Sequence, residues 1–226
     1  MDIWIQRRLD ESISNTQYPI SAPPTIPPVI MTFGNASPSR LVQRVHISPD
    51  ALARSPGNVA EHFDAVSDAL AATLTLLRPL PGGLIDRWLA KPGGHIIIDA
   101  RKHEFVAGES LFRGRALPNV AWVRLALLVE DTISYLTPVG WLIARILGWG
   151  QPNARADQRW RDFERGVQSG FAAGYGRSDA ARADVNAYLA EGIAWHLADP
   201  RGLNMENPRL HKLLRATVFS KAFYKM

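Results

Sequence analysis

The stretch Leu125–Leu136, "LALLVEDTISYL", decides how the second half of this chain folds. It reads as the central helix of a buried core, yet Glu130 and Asp131 stand side by side in its middle. Burying a carboxylate is expensive unless a partner compensates. Two readings stay open for the pair. In one, Asp131 and Arg124 lie on one helical face and meet charges on neighbouring helices while Glu130 sits at a cleft edge; in the other, both acids belong to a functional site.

Outward from this stretch the pattern is helical towards the C-terminus. Segments 119–136, 139–149, 155–173, 180–198 and 207–223 are expected to be helices, punctuated by Thr137-Pro138, Gly148–Gly150, Gly174–Ser178, Pro200–Asn204 and Pro208. Towards the N-terminus, His95–Ala100, "HIIIDA", is a β-branched run short enough to be a strand buried on both faces. Leu41–Ile47 alternates like an edge strand, and Asn58–Leu77 repeats apolar residues at helical spacing. Pro81 opens a further helix, "PGGLIDRWLAK". A small sheet followed by helices is the signature of an α+β protein.

Residues 14–40 hold six prolines among serines and threonines, a composition that forbids a helix and favours an extended tether. The expected organisation is a flexible leader over 1–40 and a single α+β domain over 41–226. Met1–Ile13 lacks the continuous apolar run of a signal peptide. The most apolar window, Trp122–Leu147, carries Arg124, Glu130, Asp131 and Arg145, too many charges for a lipid-spanning helix. A soluble protein is expected, cytoplasmic or exported without a cleavable signal.

Of 226 residues, 46% are hydrophobic and 21% charged, an ordinary globular balance. The absence of cysteine excludes disulfides, thiolate nucleophiles and cysteine-based metal sites. A net charge of +5 would suit an acidic partner, but the basic residues scatter and no nucleic-acid-binding module accompanies them. Nucleic acid is not expected as a partner. No two of the six histidines stand three or four apart, and "KHEFVAG" (Lys102–Gly108) reads as a solvated loop. Trp149, in "GWGQP", reads as an exposed aromatic anchor.

The order of these segments resembles the catalytic domain of the anthrax lethal-factor-type metallopeptidases, which are zincin-like. The resemblance rests on "LPGGLIDRWLAKPGGHIIIDA", "LLVEDTISYL", "NAYLAEGIAWHLADP" and "NPRLHKLL" in that order, and covers about 78–216. It sets Val129–Ile133 over the family's HExxH helix and Ala187–Glu191 over its later E-x-F-A-E helix. Glu130 then takes the place of the general base, Glu191 that of a supporting acid, and Tyr175 falls in the region of an oxyanion-stabilising tyrosine. Both imidazole positions are aliphatic, Val129 and Ile133, and the third ligand position is Ala187. Zinc at a catalytic site needs about three protein ligands, and here there are none, so no metal or other cofactor is expected. The resemblance therefore implies a pseudo-peptidase, as in a bacterial effector or toxin-like protein, whose cleft grips a protein or peptide. The alternative is an active hydrolase with a rearranged acid site around Glu130 and Glu191.

Overall fold

The run "HIIID" at His95–Asp99 becomes the buried second strand of a four-stranded sheet in a computed structural model that describes residues 38–49, 51, 66–150 and 157–225. The strands are β1 (Val45–Ile47), β2 (His95–Asp99), β3 (Glu104–Phe112) and β4 (Arg115–Arg124), in spatial order β1-β2-β4-β3. β1, β2 and β4 are parallel, and β3 pairs antiparallel with β4 at the far edge. The expected α+β class holds: the sheet lies in the N-terminal half and the rest is mainly helical. The described residues all belong to a unit spanning 33–226. The leader expected over 1–40 lies outside the described residues apart from Pro38–Arg40.

Strand parity gives the sheet two different faces. Val45, Ile96, Ile98, Ala121 and Val123 point into the main core with the helices. Ile97, Val120 and Trp122 point the other way, into a small cluster with Val106, Phe112 and Leu117. A bulge between Val106 and Glu109 curls the β3–β4 hairpin. Its two-residue tip, Arg113-Gly114, has positive φ at both positions (50° and 75°), as a type I′ turn demands.

Several sequence expectations are corrected here. Most of Leu41–Ile47 is not strand: Pro38–Arg44 is a 3₁₀ turn, because Leu41 and Val45, four apart, both insert into the core. Residues 119–124 are not helix but the end of β4, since Val120 and Trp122 alternate with Ala121 and Val123 between the two apolar faces. "KHEFVAG" is not a loop; it runs into β3.

The helices are α1 (Val66–Leu76), α2 (Gly82–Leu89), α3 (Leu125–Glu130), α4 (Thr132–Leu147), α5 (Gln158–Ala172), α6 (Asp179–Ala183), α7 (Val185–Ala198), α8 (Pro200–Glu206) and α9 (Pro208–Ala216). Thr137-Pro138 does not end a helix, for α4 continues through Pro138 with Pro138, Val139 and Gly140 buried. Core packing outweighs the cost of an interior proline, about 3 kcal/mol. The segment 180–198 is two helices, α6 and α7, and Pro200–Asn204 is helical rather than a turn. The 207–223 helix stops at Ala216. Of the helix expected over 58–77, the part before Val66 lies outside the described residues. Among the described residues no helix is long and apolar enough to cross a membrane.

Four of these breaks share one device. The amides of Asp131, Asp184, Asp199 and Asn207 close the preceding helix on the carbonyls of Leu127, Ala180, Trp195 and Leu203. The side chains of the same residues accept the first amides of the next helix. One residue thus ends one helix and caps the following one, with no linker between them.

At the centre of the core α4 crosses α7 at Gly140. A Cβ built there would collide with the carbonyl oxygen of Ala190, which is backbone and has nowhere to go. The Gly140→Ala variant is therefore expected to lose about 3 kcal/mol, or about 6–12 °C in Tm for a domain of this size. Gly108→Ala, where nothing lies within 4 Å, should leave Tm nearly unchanged in the same thermal melts.

Candidate functional site

β4 runs directly into α3, and the chain turns at Asp131 (φ −152°, ψ 89°) before α4 begins. The Asp131 carboxylate accepts the Ser134 amide at 3.1 Å and the Ser134 hydroxyl at 2.8 Å. The acids of the opening stretch thus do not lie in the middle of a helix. Asp131 is a cap at the positive end of α4, where a carboxylate is favoured, and Glu130 is exposed at the end of α3. Glu130 makes no hydrogen bond or ion pair among the described residues. Arg124, expected to share a helical face with Asp131, is instead the last, exposed residue of β4.

Partial burial raises the Asp131 carboxyl. The Ser134 amide and hydroxyl, the Arg177 guanidinium and the Ile133 amide outweigh that and hold it below the usual carboxylate range. Arg177 stands 3.5 Å from Asp131, with its guanidinium 5.8 Å over the Trp195 ring. Both ionised side chains are more than a third exposed, so the pair orients the groups more than it stabilises the fold.

Glu191, on α7, is only 8% exposed. One of its oxygens accepts the amides of Arg177 at 2.9 Å and Ser178 at 3.2 Å. Ser178 then caps α6 through the Ala181 amide. Arg182 ties the same loop by donating to the carbonyls of Gly176 and Arg177. The structure thus brings Asp131 and Glu191 to opposite ends of one residue, Arg177. Glu191 and Asp131 are both committed to holding the backbone, and Tyr175 projects from the loop they anchor, 51% exposed.

Val129 (exposed), Ile133 and Ala187 (both half-buried) present only carbon at the positions the resemblance gives to metal ligands. Asp131 also interrupts the helix between Val129 and Ile133, so these two do not share a continuous helical face as i and i+4. The residues present do not fit a zinc ion. Among the described residues no three of the His, Asp and Glu side chains gather closely enough to hold a metal.

Sequence reasoning missed His103. Its Nδ1 accepts the Arg124 amide at 3.4 Å, and the ring lies near the Ser134 carbonyl. That carbonyl is the one Pro138, lacking an N–H, cannot satisfy within α4. Burial and the Arg124 charge lower the His103 pKa, against the Ser134 backbone, which raises it. The Phe105 ring, stacked on Trp141 (centroids 6.5 Å apart, planes within 8°), ties the start of β3 to α4. The signal in the sequence was the interior proline, which strands a carbonyl four residues back.

Trp149 is not an exposed anchor: it is half-buried, donates to Asn186 at 2.7 Å and meets the edge of Phe163. Four histidines do pair, but across the fold: His46 with His95 at 3.0 Å, and His196 stacked on His211 with centroids 5.2 Å apart. No family model matches the chain, and no curated protein or solved structure matches it either.

Two outcomes follow. Glu191→Ala should accelerate amide exchange at Arg177 and Ser178 at least about tenfold, because a hydrogen bond to a charged group is worth about 1.5–3 kcal/mol. Glu191→Gln, which keeps an acceptor, should show a smaller effect by the same NMR exchange measurement. For Asp131 the folded pKa is depressed, so its contribution is complete above the unfolded value and is lost as pH falls through the folded one. Asp131→Asn retains the cap but not the charge, and is expected to flatten the stability profile below about pH 4 in urea titrations.

Proposed function

We propose that this chain is a non-catalytic domain that grips an extended peptide along β3, on a scaffold of the lethal-factor peptidase type, as in an effector- or toxin-like protein. The observation that carries the reading is the open edge of β3. It is a nine-residue strand at the end of the sheet order, with Ala107, Gly108, Glu109 and Leu111 exposed. A long edge strand is an invitation to pair with another chain, and proteins blunt it unless it is used.

Three further features support the reading. The edge is held against α4 through the Phe105–Trp141 stack, so it is preorganised for a partner strand. Leu111, 72% exposed, offers an apolar contact beside that edge. Beside α4, the aliphatic side chains of Val129, Ile133 and Ala187 replace the groups that would activate water in a peptidase of that type.

Random-peptide display against the purified chain is the test. Selected peptides should protect β3 amides from exchange and bind at least about tenfold more weakly to Ala107→Pro. Residue 107 lies in the bulge, where no paired β4 residue is lost and proline blocks strand addition. Equal binding to that variant would overturn the reading. So would stoichiometric zinc in protein purified without chelator, or peptide cleavage that Glu130→Gln abolishes.

A further inference from the structure

A second site lies at the other end of the parallel strands from Asp131, on the sheet face turned away from the main core. Strand register places His46 opposite Ile97, and His95 opposite Val120, so both imidazoles share the face of the small apolar cluster. Beside them opens a cavity of about 360 Å³ lined by His46, Phe112, Arg113, Arg115 and Leu117.

The hydrogen bonds fix which way every proton points. Arg44 Nη1 lies 3.3 Å from His95 Nε2, and a guanidinium can only donate, so His95 Nε2 accepts. Neutral His95 then carries its proton on Nδ1, which donates to His46 Nε2 at 3.0 Å. His46 in turn carries its proton on Nδ1, for which the described residues provide no acceptor. Burial first, then the neighbouring cations, lower both pKa values, His95 to about 4, in keeping with two neutral rings near pH 7. Arg44 itself is occupied by the carbonyls of Leu89, Lys91 and Pro92.

The polar side chains lining the cavity therefore offer donors. Arg115 has no hydrogen bond or ion pair among the described residues. Arg113 spends one N–H on the Ile47 carbonyl at 3.1 Å and rests its guanidinium 5.3 Å over Phe112, keeping its other donors. It does so from a left-handed backbone (φ 50°) that a side chain of its size adopts at a cost. Among the described residues no carboxylate lines the space. Two guanidinium charges and one neutral N–H match a dianion better than a monoanion. A phosphate monoester is the common biological dianion at this pH, its second pKa being about 6.

We infer that this cavity is a phosphomonoester-binding site. Arg113 and Arg115 take the charge, His46 Nδ1–H gives a directed hydrogen bond, and Phe112 and Leu117 flank the carbon atoms of the carrier. The cavity meets the peptide-gripping strand only at Phe112, the last residue of β3.

The test is calorimetric titration of the full chain with inorganic phosphate, O-phosphoserine and acetate in low-salt buffer near neutral pH. Saturable binding of phosphate or phosphoserine, at least about tenfold tighter than acetate, is expected. The tighter of the first two shows whether the group is read alone or on a carrier. Arg115→Glu should abolish it, while Arg101→Glu, the same charge change on an exposed residue that does not line the cavity, should not. Nitrogen-15 NMR should find His46 as the Nδ1–H tautomer, with that nitrogen shifted by phosphate. Absence of saturable phosphate binding, equal affinity for acetate, equal loss in the two arginine variants, or an Nε2–H tautomer of His46 would each overturn the inference.

Discussion

The crossing of α4 and α7 at Gly140 is the constraint on which the rest of the structure depends. With no side chain at that residue, the backbone of one helix lies against the Ala190 carbonyl of the other. Tyr135, Leu136, Val139 and Ile143 on α4 and Leu189, Ile193 and Ala194 on α7 are all wholly buried around the contact. That closeness puts the start of α4, with Asp131, within reach of Arg177, whose backbone amide α7 holds through Glu191. The geometry of the candidate site is thus inherited from a missing methyl group one face away.

Around this crossing, polar groups sit where the backbone needs them. The Tyr135 hydroxyl is 2.7 Å from that of Thr73 in the core, and burial pushes its phenol pKa up. Asn207 donates to the Tyr188 hydroxyl at 2.9 Å and caps α9 with its oxygen. Buried polar atoms that have partners cost little and fix geometry. Such a role accounts for Glu191, the supporting acid of the peptidase resemblance, and for Asp131 of the opening stretch: both accept backbone amides.

What could be read from the sequence follows a physical line between local and distant causes. The β-branched run at His95–Asp99, the helices after Leu125 and the α+β class all announce themselves within a few residues. Residues 119–124 did not, because an apolar run fits a helix as well as a strand buried on both sides, and only the β2 ladder decides between them. Pro138 misled for a related reason: its local tendency to break a helix is overcome by burial among distant parts of the chain. The His46–His95 chain of hydrogen bonds was illegible, being made by strands almost fifty residues apart. That Val129, Ile133 and Ala187 offer no lone pair to a metal, by contrast, is plain in the side chains themselves.

The linker-free joints at Asp184, Asp199 and Asn207 bear on how this chain tolerates changes in length. One inserted residue within α7, α8 or α9 would turn everything beyond it by about 100° and advance it 1.5 Å. Neither a slack loop nor a spare turn stands between these helices to absorb the rotation. With an insertion in α7, buried Leu203, Leu210 and Leu214 would then swing towards solvent together. Relatives of this domain should therefore differ in this region by exchange of side chains, and carry insertions and deletions elsewhere.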